Sequence, residues 1–255
     1  MKQFILNPSM GKRLIAKAML SHPVVKNALN NGTLVIVAGT TNGYIAEEIL
    51  TEIGQKGNFD RKRFFRGITL PPTYRTTDTG RLADENQFPG DVVITGGKWQ
   101  NGKTINDVAE TLKEGDVILK GANALDLGHK RAAVLIGNQQ GGTAIVVLSA
   151  LVGRRARLII PIGLEKRVPG NIDQIANKVN SPGATGFRLL PIPGEVFTEI
   201  EALKLLTDVE TEIIAAGGVC GAEGGVWLAI NGTDEAELKA EKLLRSIASE
   251  PPFTI

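Results

Sequence analysis

An α/β fold with an open, mostly parallel sheet flanked by helices, followed by a C-terminal α+β lobe, is the class this sequence predicts. Three observations predict it. Apolar β-branched runs alternate with segments of helical spacing through about residue 165, as a parallel sheet with crossover helices requires. The first such pair, residues 33–38 and 44–53, meets at a short turn of glycine, hydroxyl and amide residues. After about residue 170 the order changes to β-α-β-β-α. The domains accordingly read as 1–170 and 171–255.

Each element has its own local reason. Residues 11–20 and 23–30 have helical spacing, with Pro23 suited to a first turn, Ser21 or His22 near its cap, and Asn31-Gly32 as the stop. Residues 33–38 form a continuous apolar run, the mark of a buried strand. Residues 44–53 set Ile45, Ile49 and Leu50 against Glu47 and Glu48, the pattern of an amphipathic helix that stops at Gly54. Residues 64–70 read as another strand. Residues 71–90 have little periodicity and carry Pro71-Pro72, Asp78, Gly80 and Pro89-Gly90, so they read as a long loop, a floppy insertion or a candidate lid.

Residues 91–95 and 116–120 read as short buried strands. Between them Thr104 caps a helix over 105–113, with Asp107 as its capping-box partner. A buried helix over 143–152 and a strand over 156–160 complete the first unit. In the last third, strands are expected at 187–192, 209–215 and 226–230, and helices at 195–206 and 235–248. Thr233 caps the last helix and Pro251-Pro252 ends it. That order is ferredoxin-like.

Composition narrows the function. The 255 residues are 42% hydrophobic, ample for a packed core, and the net charge of +2 gives no strong field for nucleic acid or membranes. No run approaches the roughly 20 apolar residues of a spanning helix, and Lys12, Arg13 and Lys17 interrupt any signal-peptide pattern. A single cysteine, Cys220, excludes an internal disulfide and fits a reducing compartment, so the expected location is cytoplasmic. No Cys/His spacing suits zinc, and both the P-loop and the dinucleotide-binding spacings fail, so neither a metal nor a cofactor is expected. Arg61-Lys62-Arg63-Phe64-Phe65-Arg66 mixes basic and aromatic residues. Alternation into a strand explains it as well as nucleic-acid binding does, and nucleic acid is not the expected partner.

Four segments carry candidate chemistry. Gly39-Thr40-Thr41-Asn42-Gly43 joins a strand to a helix, where free amides and the helix dipole favour an anion such as phosphate. An ordinary strand–helix turn would look the same. Residues 116–129 open from a strand into a glycine turn bearing Lys120, Gly121, Asn123, Asp126 and His129. Lysine there could hold an anion and the Asp and His could move protons, or the polar groups could satisfy the turn. Gly137-Asn138-Gln139-Gln140-Gly141-Gly142 is either a plain polar loop or a second anion or hydroxyl site, with Gln139 suited to a polyol. Lys166 and Arg167, after the last strand of the sheet, could reach an anion at the same rim or simply be solvated.

Together and in this order the segments resemble the isomerase/CoA-transferase-like superfamily. It contains ribose-phosphate isomerases, glucosamine-phosphate deaminases, CoA transferases and the sugar-phosphate sensor domains of DeoR-type repressors. The likeness covers roughly residues 10–170 and is nearest to the sensor domains: Val35 to Thr41 with Ala46 and Leu50, then Gly121 to His129, then Leu158 to Arg167. The resemblance implies a parallel α/β fold, a homo-oligomer and a sugar-phosphate ligand. Where ribose-phosphate isomerases are expected to carry Asp-Gly-Ala-Asp, this chain has Lys120-Gly121-Ala122-Asn123, and about 30 residues before the first strand are too few for a winged DNA-binding domain. The expectation is therefore a non-catalytic or sensor-like protein that binds a small-molecule phosphate ester at the carboxyl edge of the sheet. The alternative is a sugar-phosphate isomerase or related transferase with Asp126 and His129 as acid and base.

Overall fold

The computed structural model describes residues 1–66, 69–74 and 88–254. Its centre is a six-stranded sheet in the order β10-β8-β5-β2-β3-β4, formed by β2 (Thr33–Ile36), β3 (Val92–Thr95), β4 (Lys98–Trp99), β5 (Val117–Leu119), β8 (Arg157–Pro161) and β10 (Glu195–Phe197). The four strands β10, β8, β5 and β2 run parallel, in register through Val35, Ile118 and Leu158, while β3 and β4 add an antiparallel edge. The open, mostly parallel α/β sheet expected from the alternation is thus present. Leu34 to Ile36 of β2, Val117 to Leu119 of β5 and Leu158 to Pro161 of β8 are buried and apolar, as strands covered on both faces are.

Helices α1 (Pro8–Ser21), α2 (Pro23–Asn31) and α3 (Thr40–Glu52) follow the N-terminal strand β1 (Lys2–Leu6) and frame β2. The helix α3 starts four residues earlier than its apolar spacing indicated, because Thr40 to Gly43 already wind as its first turn. Only four residues of the helix expected over 105–113 wind as α-helix, α4 (Ile105–Val108), behind the expected Thr104–Asp107 capping box. A second, three-stranded sheet joins β6 (Ala124–Asp126), β7 (Arg131–Ile136) and β9 (Arg188–Ile192). The helix α6 (Ile172–Val179) packs against it over a small satellite core of Ala124, Ala133, Ile172, Ala176 and Leu189.

The α+β structure of the C-terminal segment is shared out among the sheets. Its β9 pairs with β7 and its β10 with β8, while β11 (Glu210–Ala216) and β12 (Val226–Asn231) form a third sheet with β1. The remaining helices α7 (Glu199–Thr207) and α8 (Asp234–Ser246) begin at Thr198 and Thr233, each of which caps with its side chain.

Three further expectations need correction. Residues 195–197 are a strand rather than the start of a helix, because Thr198 and Glu201 form the capping box that sets where α7 begins. Phe64 to Arg66 lie outside any strand, after a 3-10 turn at Arg61–Arg63, and Phe64 is buried edge-on against Phe59 with ring centroids 5.2 Å apart. The helix α5 (Gly142–Arg154) is only half-buried: Ala144, Val147 and Ala150 face the core while Ile145 and Val152 are exposed. Most of the loop expected over 71–90, residues 75–87, lies outside the described residues. Among the described residues no helix is long and apolar enough to cross a membrane.

Candidate functional site

The parallel strands β2, β5 and β8 all end at one edge, and ligands in open α/β sheets gather outside such edges. There a cavity of about 470 Å³ opens, within the ~300–1,000 Å³ usual for small-molecule sites. Its walls come from three of the four segments expected to carry chemistry, Gly39 to Asn42, Lys120 to Asn123 and the loop before α5, and from Lys166 of the fourth. The phosphate-loop rim and the Lys120 rim therefore face one hollow.

The start of α3 supplies the first rim. No side chain caps this helix, and Gly39 stands in the capping position in an extended conformation. The first-turn amides of a helix have no acceptor within it, so those of Thr40, Thr41 and Asn42 remain for a ligand. Thr41 is only 3% exposed and its hydroxyl meets no partner among the described residues, a costly state for a buried polar group. Asn42 anchors the turn by donating Nδ2 to the carbonyls of Val37 (2.7 Å) and Leu119 (3.0 Å). Gly43 is turned away from the cavity and packs against Arg61, where a Cβ would crowd the Arg61 backbone and side chain.

The second rim is the turn after β5. Lys120 is 8% exposed, and among the described residues its ammonium makes a single hydrogen-bond contact, 3.5 Å to Thr143 Oγ1. Burial, and then the charge of Arg66, lower its pKa to about 8, with Asp91 opposing. Asn123 is held by its backbone N–H to Ala133 O (2.8 Å) and by accepting from Leu135 N (3.0 Å), with Nδ2 directed to Thr69 (3.4 Å). Lys166 donates to Ala122 O at 2.9 Å, and burial lowers its pKa as well.

The third rim is the start of α5. Gly141 and Gly142 have positive φ, and a Cβ on Gly141 would overlap the Ile145 side chain, so glycine is required there. Asn138 accepts from Gln140 N at 2.7 Å and shapes the loop, and no side chain caps α5. Gln139 is exposed and does not line the cavity.

Asp126 and His129 do not line the cavity either. They pair with each other at the end of β6: Asp126 accepts from the His129 backbone N–H at 3.1 Å and lies 2.9 Å from its Nδ1. Burial works against the Asp126 charge, but these two interactions outweigh it and hold the carboxyl below its usual range. His129 is largely exposed.

The lining residues missed at sequence level include Phe65, Arg66 and Thr69 and, from β7, Val134 to Ile136. Arg66 pairs with fully buried Asp91 at 2.6 Å, and Asp91 also accepts from the amides of Ala38 and Ile105, both at 2.8 Å. The arginine is thus fixed beside the Ala38-Gly39 rim, and its guanidinium lies 4.7 Å from the Phe88 ring centroid. The only hint in the sequence was the basic-aromatic stretch itself. Its Arg61 turns inward to Glu47 and Glu250.

The cavity's charged lining is Arg66, Lys120 and Lys166, with no acidic side chain among the described residues. Such a lining can hold anions and orient hydroxyl groups, and it offers no carboxylate or imidazole for proton transfer. Among the described residues no three His, Cys, Asp or Glu side chains gather as a metal site would. No family model, no curated protein and no solved structure matches this chain.

Proposed function

We propose that the protein binds a phosphorylated small molecule, of the sugar-phosphate kind, at the carboxyl edge of its sheet, as a sensor-like or non-catalytic binding protein. The observation that carries this reading is the uncapped start of α3, with a Thr41 hydroxyl that has no partner among the described residues, on a cavity whose charged side chains are, among those residues, all cationic. Asn123 and Thr69 would meet hydroxyl groups, while Lys120, Lys166 and Arg66 would supply charge. Kinship with the isomerase/CoA-transferase-like superfamily belongs to the same proposal and rests on the order of the motifs.

The catalytic alternative is the weaker one. Asp126 and His129 would have to act from outside the cavity, and neither lines it. A reducing, cytoplasmic setting fits the exposed free thiol of Cys220. A homo-oligomer would cover the exposed Ile145 and Val152 of α5, and light scattering checks its mass.

Thermal-shift screening against sugar phosphates, nucleotides and CoA esters tests the proposal. A ligand at 100 times its Kd adds about 2.7 kcal/mol of stability. The expected hit is a sugar phosphate, lost in Thr41→Val and kept in Lys62→Ala, without aldose–ketose conversion. Absence of any phosphate-dependent shift overturns the reading, and turnover on the hit overturns its non-catalytic part.

A further inference from the structure

We infer that the cavity has two anion subsites, one at the start of α3 and one at the start of α5, so its ligand class is a small molecule with two separate anionic groups. A sugar bisphosphate or a phosphorylated sugar acid has that chemistry. The inference rests on the phosphate-binding reading and sharpens its ligand.

Both helices are 13 residues long, both begin at glycine, and neither has a side-chain cap. In contrast α1, α6, α7 and α8 each place an Asn or Thr oxygen on a first-turn amide, and α2 opens with a proline that lacks the amide. Each uncapped start also has a buried polar group short of partners. At α3 it is the Thr41 hydroxyl. At α5 it is the Lys120 ammonium, which has three protons and, among the described residues, one contact at 3.5 Å, beyond the usual hydrogen-bond length.

Two contacts fix how the starts are related. Asn42, in the first turn of α3, donates to Leu119, the residue before Lys120. The Lys120 ammonium in turn reaches Thr143, in the first turn of α5. Lys120 thus spans from one helix start to the other. A single anion at α3 would leave that ammonium and the α5 amides unmet, and a lone phosphate leaves much of about 470 Å³ unfilled. Arg66 is already offset by Asp91, so Lys120 and Lys166 remain as charge for a second anionic group.

Equilibrium dialysis with radiolabelled inorganic phosphate decides the matter. The wild-type chain is expected to bind two phosphates. Thr143→Asp puts a carboxylate where an anion would sit and suits a helix first turn, so it keeps the fold and leaves one phosphate. Thr41→Val, nearly isosteric, leaves the other. Fructose 1,6-bisphosphate is expected to bind about tenfold or more tighter than fructose 6-phosphate, and Thr143→Asp removes the advantage. One phosphate per chain, lost in Thr41→Val and untouched by Thr143→Asp, overturns the second subsite and leaves phosphate binding standing. Equal affinity for the two sugar phosphates overturns it as well. No bound phosphate at all overturns both readings.

Discussion

Two clusters of charge in this molecule obey opposite rules. Where α1 meets α3, Arg13 binds Glu47 (2.8 Å), Glu48 (2.7 Å) and Glu250 (2.8 Å), Arg61 binds Glu47 and Glu250, and Lys56 binds Glu47. Both guanidiniums lie over the Tyr44 ring, at 4.8 and 4.4 Å. Burial disfavours these charges, yet the hydrogen bonds prevail: they raise the pKa of Arg13 and hold Glu47 down to about 2. At the cavity the balance is reversed. Burial dominates Lys120, and among the described residues no carboxylate lies within ion-pair distance of it. Partial burial of charge stabilises a fold when each ion is met locally, and it stores binding capacity when one is left short.

The largest effect should come from emptying the first cluster. Arg13→Met takes one of two guanidiniums from Glu47 and Glu250 and the closest cation from Glu48, and is expected to cost about 3 kcal/mol, read from the urea midpoint. Lys120→Met should do the reverse to the free protein, changing its stability by less than about 1 kcal/mol or raising it, because an under-partnered buried ion is replaced by an apolar chain. The same variant should weaken phosphate-ester binding about tenfold to a hundredfold in titration calorimetry. Should Lys120→Met unfold the chain as Arg13→Met does, the contrast between the clusters fails.

Acidity sharpens the contrast further. Lys120 in the folded chain loses its proton at about 8, below its ordinary 10.5. Between those values the unfolded chain holds the extra proton, so the stability of the free protein rises with pH across that window. Ligand affinity moves the other way and falls as pH rises through about 8, because a cation leaves the site. Binding isotherms across that range should show the fall in the wild type and a flat profile in Lys120→Met.

A smaller effect is expected at Glu199, buried behind the 3-10 turn that carries Lys166 and accepting from Leu164 N at 2.9 Å. Burial, and then Glu165, raise its pKa above the usual carboxylate range. A raised acid gives stability that is full below its unfolded value of about 4.5 and is lost as pH rises through the folded one. Thermal midpoints measured against pH should flatten in Glu199→Gln.

Much of the frame could be read from single segments. The buried strands β2, β5 and β8 announced themselves as apolar runs, and Thr104 and Thr233 are caps whose partners lie within three residues. Glu195 to Phe197 were misread because a three-residue strand has too few positions to show a period, and its partner β8 lies over 30 residues away. Arg66 was misread for a similar reason. Its meaning depends on Asp91, 25 residues away across a segment without pattern. Asp126 and His129 looked like an acid–base pair, and they do pair, but β6 and its turn hold them outside the cavity.

By itself the sequence determined the alternation of strand and helix through the parallel sheet, the caps at Thr104 and Thr233 and the glycines at Gly39, Gly141 and Gly142, because each depends on backbone conformation and neighbours a few residues apart. Only the tertiary structure decided that the starts of α3 and α5 share one hollow, that Lys120 lies between them and Arg66 beside the first, and that the C-terminal strands complete sheets begun elsewhere. Those facts are distances between remote parts of the chain. They are set by how apolar faces pack, and no local pattern encodes them.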